Sequence, residues 1–392
     1  MDWSFLIKNK SSLNVTTDSR KVTSGSIFVA LKGEHFDGND FVEQAKTQGA
    51  EYVISGENAL RDVQDLARAW RRELGLPILA ITGTNGKTTT KELCAAVLKT
   101  KYNIYYTQGN LNNQLGVPLT LLNITRAHEM AIVEMGASHP GDIKELVEIA
   151  EPNYGLITNV GKAHLQGFGS FEGVMRTKAE LYDWLVAHNG TIFQNADNPY
   201  LKKMVDDAQK KIVHCPLSIV HYHTGIMPEG THLVGAYNAE NVSAALRVGL
   251  YFGVAEPRAL AAIRAYIPSN NRSQLMQTEH NTVVIDAYNA NPTSMQAAIN
   301  AFKGDCYILG AMRELGEYSS VEHQNIVNML LERKADKVLL VGEEYAETTA
   351  PYPIYQNVDA LCEYLRQEPL CGYTVLLKGS RSNQLEKVIP LL

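Results

Sequence analysis

The sequence lacks a disulfide framework. Its five cysteines (Cys94, Cys215, Cys306, Cys362 and Cys371) are odd in number, unclustered, and contain no C-x-x-C pair. That argues against a cysteine-stapled secreted domain and against a zinc ribbon. It also lacks an excess of positive charge: 36 Lys and Arg against 42 Asp and Glu leave a formal −6. No global field therefore exists to hold nucleic acid or anionic lipid. No apolar run approaches the roughly 18–20 residues of a membrane span, and the opening MDWSFLIKNKSS lacks the apolar core of a signal peptide. Internal repeats and low-complexity tracts are missing as well. These absences point to a cytoplasmic globular protein with no nucleic-acid partner and no membrane span. With 45% hydrophobic residues in 392, cores are affordable, and at about 150 residues per domain the length implies two or three of them.

From Pro77 onward, short apolar runs rich in Val, Ile and Leu alternate with amphipathic stretches. The runs are Ile78–Thr82, Ala131–Met135, Gly155–Asn159, Thr191–Gln194, Val283–Asp286, Cys306–Leu309, Lys337–Val341 and Thr374–Leu377. Continuous apolar runs of this length fit strands buried on both faces. The stretches between them, such as Lys91–Lys99, Asp142–Ile149, Phe171–Val186, Ser294–Phe302 and Val321–Arg333, read as helices. Repeated βα alternation predicts an α/β protein with more than one doubly wound parallel sheet. The first 76 residues differ, with a turn-rich segment over 32–40, a helix-like Arg61–Leu74, and a break at Gly75 and Pro77. A second interruption, AYIPSNNR, falls near 266–271. The expected layout is 1–76, 77–267 and 268–392.

The most informative stretch is ILAITGTNGKTTTKEL. A buried strand runs into Gly83-Thr84-Asn85-Gly86-Lys87-Thr88-Thr89 and then into a helix. Glycines let backbone N–H groups turn around phosphate oxygens, and the helix N-terminus adds partial positive charge. Lys87 would supply a mobile cation and the Thr88 hydroxyl a magnesium ligand. Ile81 stands where the strict G-x-x-x-x-G-K-[ST] pattern has its first glycine. A second metal-binding carboxylate is expected at Glu134, which closes the apolar run Ala131–Met135. Left unpaired there, it would be costly to bury. Two weaker signals are set aside. His214, Cys215, His221 and His223 match no common zinc spacing. Arg68-Ala69-Trp70-Arg71-Arg72 reads as a solvated helix face.

These motifs carry a resemblance across essentially the whole chain to the Mur ligase family, ATP-dependent amide-forming enzymes of peptidoglycan precursor synthesis. Thr17-Asp18-Ser19-Arg20, Gly25 to Gly33 and Phe36-Asp37-Gly38 resemble the UDP-sugar-binding N-terminal domain of that family. Gly109 to Asn113, Thr158 to Leu165, Asp286 to Pro292 and Leu309 to Gly316 resemble the dipeptide-adding member. The resemblance implies a small α/β N-terminal substrate domain, a central P-loop-type parallel-sheet ATPase domain and a C-terminal Rossmann-like domain. Its implied substrates are UDP-N-acetylmuramoyl-tripeptide and D-alanyl-D-alanine, with ATP and two Mg²⁺, in a monomer. A sister ligase adding diaminopimelate or lysine, and a catalytically inactive ATP-binding homologue, remain the alternatives.

Residue by residue, the resemblance implies that His164 ligates a second Mg²⁺ and that Lys178 is a carbamylated lysine holding the same metal. From the residues alone, His164 also reads as a packed histidine and Lys178 as a solvated helix lysine. Asn238 matches a position near adenine, although a helix N-cap is its plainer reading; Tyr237 stands where a histidine is usual. Arg272, Asp286 and Asn289 match positions that approach the nucleotide. Ser19, Arg20 and Asp37 would contact the uridine diphosphate, Asn112 and Asn113 the sugar-peptide, and Lys378, Ser380 and Arg381 the substrate peptide. Glu314 and His323 stay open between dipeptide contact and packing. The chain looks compact for the family, with the shortfall placed between His214 and Gly235.

Overall fold

A computed structural model describes residues 2–34, 36–211, 217–269 and 271–392. His214 and Cys215 lie outside the described residues, with part of the shortened segment; of the same cluster His221 and His223 are described, and His223 Nδ1 lies 2.6 Å from Asp197 Oδ1. The fold is a three-domain α/β protein built on three sheets. The first is small and parallel, with Ile27–Val29 between Val15–Thr16 and Tyr52–Ile54. The second has six parallel strands in the order Ile104–Tyr106, Met130–Glu134, Ile78–Thr82, Tyr154–Ile157, Thr191–Asn195, Ser218–Tyr222. In the third, Thr282–Asp286, Thr374–Lys378, Cys306–Gly310, Lys337–Val341 and Ile354–Tyr355 run parallel, and Gln274–Gln277 pairs antiparallel at one edge. No described helix is long and apolar enough to cross a membrane.

Every apolar run read as a strand is one, within a residue or two at its ends. The strands the sequence does not announce are short or lie at edges. Gln274–Gln277 alternates between part-buried and exposed positions, and Ser218–Tyr222 mixes exposed Ser218 and His221 with buried Val220 and Tyr222. An edge strand is buried on fewer sides, so no apolar run is required of it. Both large sheets are covered on two faces by helices, giving separate apolar clusters above and below each.

One cluster runs without interruption from Trp3 in the N-terminal region to Ala208 in the central one. Its join is the helix Ala59–Leu74, which Gly75 ends in a left-handed conformation (φ 65°). Here the solvated-face reading of residues 68–72 is corrected. Trp70 is fully buried and its Nε1 donates to Ile124 O at 2.9 Å. Arg71 is buried and donates to Ala150 O, Glu151 O and Asn153 Oδ1 at 3.0 Å each. Those first two carbonyls end the helix Asp142–Ala150 and would otherwise lack donors. The basic run is a staple between two parts of the chain.

Candidate active site

In a parallel sheet, ligands gather beyond the carboxyl ends of the strands, where the order reverses. Ile78–Thr82 lies at that place, flanked by Met130–Glu134 and Tyr154–Ile157. Ile81 is fully buried inside the strand, so the missing first glycine leaves no gap and the phosphate cradle begins at Gly83. Gly83 has φ 143°, and a Cβ there would meet Thr158 Oγ1 at 2.0 Å; no side chain fits. The loop is pinned from the next strand. Thr158 Oγ1 donates to Asn85 O at 2.6 Å, Asn85 N donates to Asn159 Oδ1 at 3.0 Å, and Thr84 N to Asn159 O at 2.9 Å. The Lys87 ammonium donates to Gly83 O at 2.7 Å and Thr84 O at 3.0 Å. Its pKa is lowered to about 8, mainly by burial, with Glu134 opposing the shift and Arg272 adding to it.

Glu134 ends the adjacent strand, almost fully buried. Thr88 Oγ1 donates to its Oε1 at 3.2 Å and Asn112 Nδ2 at 2.8 Å. Its Oε2 has no hydrogen bond and stands 3.7 Å from Lys91 Nζ. Lys91 is fully buried, donates to Thr107 O at 2.7 Å and pairs with Glu92 at 3.1 Å. Sequence reading missed Lys91. The signal was its spacing, one helical turn after Lys87 and so on the same face.

His164 follows Tyr154–Ile157 in a loop, with a left-handed backbone (φ 49°) rare outside glycine. Burial lowers its pKa, and nearby Lys87 and Lys178 add to that, while Glu314 opposes it. The neutral imidazole so favoured is the metal-binding form. Lys178 is not the solvated lysine of the plainer reading. It is 2% exposed, has no hydrogen bond or ion pair among the described residues, and stands 5.6 Å above the Phe168 ring. Burial and then the Lys87 charge push its pKa well below the ordinary lysine range.

From the third sheet, Asp286 Oδ2 accepts from Lys378 Nζ at 2.6 Å, a pair set by their register on neighbouring strands. Lys378 also reaches Asn289 O at 3.3 Å. The Arg272 guanidinium lies 3.9 Å from the Tyr288 ring centre, with its Nε buried and unpartnered. Asn238 is not an N-cap: it is the first residue of the helix Asn238–Tyr251 and Tyr237 precedes it. The Asn238 side chain donates to Val234 O at 2.8 Å and accepts from Asn241 Nδ2 at 2.9 Å. Tyr237 reaches Ser273 Oγ at 2.8 Å.

These pieces face one cleft of about 540 Å³. Thr84 to Thr89, Asn112, Asn113, Glu134, His164 and Asn238 line it on one side; Arg272, Asp286, Asn289, Glu314 and Lys378 line the other. Of the expected site residues, Gly83 and Lys178 do not line it. Arg381 lines a smaller cavity of about 290 Å³ beside Thr88 and Arg272. Ser380 is buried with its Oγ unpartnered. Ser19, Arg20 and Asp37 do not line the cleft; Arg20 is bound to Asp18 and Asp37 to Asn39. The two sides meet through reciprocal amides, Asn291 Nδ2 to Asn85 Oδ1 at 2.8 Å and Asn85 Nδ2 to Asn291 Oδ1 at 3.4 Å.

His323 is a packing residue. Its Nε2 accepts from Met312 N at 3.0 Å and its Nδ1 lies 2.7 Å from Ser319 O. Burial lowers its pKa, so below about pH 6.5 the unfolded chain takes up the proton more readily. Its contribution to stability is therefore lost as pH falls through that range. Urea midpoints at pH 7.5 and 5.5 are expected to differ less in His323→Gln than in the wild type; an equal difference would refute this.

Among the described residues no cluster of three His, Cys, Asp or Glu forms a ready metal cage. Glu134 with Thr88 nonetheless offers hard oxygen donors, one of them a buried carboxylate oxygen without a hydrogen bond, which suits magnesium.

Comparison with known proteins agrees along the chain. The Mur ligase middle domain matches residues 81–249, the Mur ligase glutamate ligase domain 271–381, and the Mur ligase family catalytic domain 13–92. A UDP-N-acetylmuramoyl-tripeptide–D-alanyl-D-alanine ligase of Bacillus subtilis is 32% identical, covering 96% of this chain and 92% of its own. One of Escherichia coli is also 32% identical, covering 96% and 93%. Among solved structures, the MurF ligase of Thermotoga maritima in complex with ADP is 27% identical with a TM-score of 0.84, covering 98% of both chains.

Proposed function

Since the chain belongs to the Mur ligase family, we infer that it is an ATP-dependent, ADP-forming ligase that joins D-alanyl-D-alanine to UDP-N-acetylmuramoyl-tripeptide in peptidoglycan precursor synthesis. One observation carries the reading: a lysine-bearing phosphate loop faces Asp286 and Lys378 across a single cleft. The domain division that accompanies it is 1–76 for the UDP-sugar, 77–267 for ATP, and 268–392 for ligase closure.

A carboxylate is a poor electrophile at neutral pH, so a leaving group must be installed. The tripeptide carboxylate takes the γ-phosphoryl group, giving an acyl phosphate and ADP. The dipeptide amine then attacks the acyl carbon; the C–N bond forms, the C–O bond to phosphate breaks, and the amine loses a proton. Lys87 leaves its two carbonyl partners for the phosphates. Thr88 and Glu134 would hold a first magnesium, with Asn112 and Lys91 keeping Glu134 in place. His164 and Lys178, the latter as a carbamate, would hold a second. Magnesium, when bound, neutralises phosphate charge and so lets two anions approach.

Asn238, Arg272, Asp286 and Asn289 contact the nucleotide, and the unpartnered Arg272 Nε suits an anion. Lys378, Ser380 and Arg381 face the peptide. Ser19, Arg20 and Asp37 take the uridine diphosphate, far from the chemistry because the substrate is long. Holding both reactants in register can remove about 7–11 kcal/mol of barrier.

The test is phosphate release with UDP-muramoyl-tripeptide, carrying either diaminopimelate or lysine, with and without D-Ala-D-Ala. Release that requires tripeptide and dipeptide together supports the reading. Release with a single amino acid in place of the dipeptide, or none at all, overturns it.

A further inference from the structure

The loop that carries His164 is held largely by the C-terminal domain. Within its own domain, Gly161 N donates to Thr84 Oγ1 at 3.0 Å. Across the cleft, Lys162 N donates to Thr293 Oγ1 at 3.1 Å and Lys162 Nζ to the buried Glu322 at 2.7 Å. Gln166 N donates to Glu314 O at 3.3 Å. Between these anchors, His164 Nδ1 meets the Glu314 carboxylate. Both residues have left-handed backbones, φ 49° and 61°. Residues other than glycine hold that conformation only where their surroundings demand it, and such positions gather at functional sites.

A metal-binding imidazole generally donates its second ring N–H to a carboxylate, which sets the tautomer and orients the ring. Glu314 on Nδ1 leaves Nε2 as the nitrogen with a free lone pair. We propose that Glu314 is a positioning residue for His164, delivered by the C-terminal domain, so that the second metal site is complete only when that domain is docked. This rests on His164 being a metal ligand. Its consequence is economy of ATP: the γ-phosphate is not fully activated until the domain that brings the dipeptide is in place. Glu314 then acts through the histidine and does not touch the reacting atoms.

The full-length enzyme, with a non-hydrolysable ATP analogue and UDP-muramoyl-tripeptide, is titrated with Mn²⁺ and free Mn²⁺ is followed by electron paramagnetic resonance. Glu314→Ala is expected to weaken one Mn²⁺ site about 10–100-fold, the range seen when a carboxylate behind a metal-bound histidine is lost. Glu314→Gln keeps an acceptor for Nδ1–H and should stay close to wild type. His164→Ala should lose the same site. ADP affinity near the wild-type value shows that each variant is folded; if Glu314→Ala fails this, Glu314→Asp, which shortens the reach, replaces it.

If Glu314→Ala binds Mn²⁺ like the wild type while His164→Ala does not, the proposal fails and the metal role of His164 stands. If both bind normally, that role fails too. A raised KM for D-Ala-D-Ala in Glu314→Ala with unchanged Mn²⁺ binding would make Glu314 a dipeptide contact and overturn the proposal. So would a Glu314→Gln variant as weak as Glu314→Ala.

Discussion

Lys87→Met is expected to lower turnover about 10³-fold while leaving the fold intact. The ammonium sits inside the loop, on Gly83 O and Thr84 O, where a γ-phosphate would replace the carbonyls as its partner. Losing one preorganised donor to developing charge typically costs about 10²–10³-fold. The upper end applies here because the donor carries a full charge in a buried site. Stability should move little, since burial already disfavours that charge, as its lowered pKa of about 8 records. Phosphate release measures the first expectation and a thermal melt the second. Turnover within tenfold of wild type would remove the phosphate-loop assignment.

Lys178→Ala is expected to cost about 10²-fold or more, since even groups behind metal ligands cost 10–100-fold. The amine is buried, has no ionic or hydrogen-bonding partner among the described residues, and burial followed by the Lys87 charge pushes its pKa well below the ordinary lysine range, which favours the uncharged form. A neutral amine adds to carbon dioxide: the N–C bond forms, one proton leaves, and the side chain becomes an anion. On the proposed reading, the buried amine beside Lys87 would then become a buried carbamate that could share a metal with His164. The wild type should lose activity when carbon dioxide is removed and regain it with bicarbonate. With ¹³C-bicarbonate it should show a carbamate resonance that Lys178→Ala lacks. Activity indifferent to carbon dioxide together with no such resonance would defeat the modification.

The phosphate loop was legible because it is local. Strand, glycines, lysine and helix follow one another within a dozen residues, and each has a conformational reason to be there. The apolar runs likewise announced the central strands, since a strand covered on both faces has no freedom to be polar. Edge strands escaped because one side of them meets water. The basic run 68–72 misled for a related reason. Charge density suggests solvent, yet Arg71 lies on carbonyls about 80 residues away in sequence. Lys178 misled in the same direction, its burial being decided by what packs over its helix.

The sequence by itself determined the alternation that makes parallel sheets, the phosphate loop, and the carboxylate that closes the neighbouring strand. These depend on contiguous residues and on short-range periodicity. Only the tertiary structure decided which charges are paired and which are left alone. Lys91 beside Glu134, Lys378 on Asp286, and Glu314 against His164 are contacts between distant segments. Each side chain is of a type common on surfaces. For Lys91 and Lys378 the role arises because folding removes the ammonium from water and sets a carboxylate beside it; Glu314 stays more exposed but is brought against His164. None of these neighbours is written in the spacing.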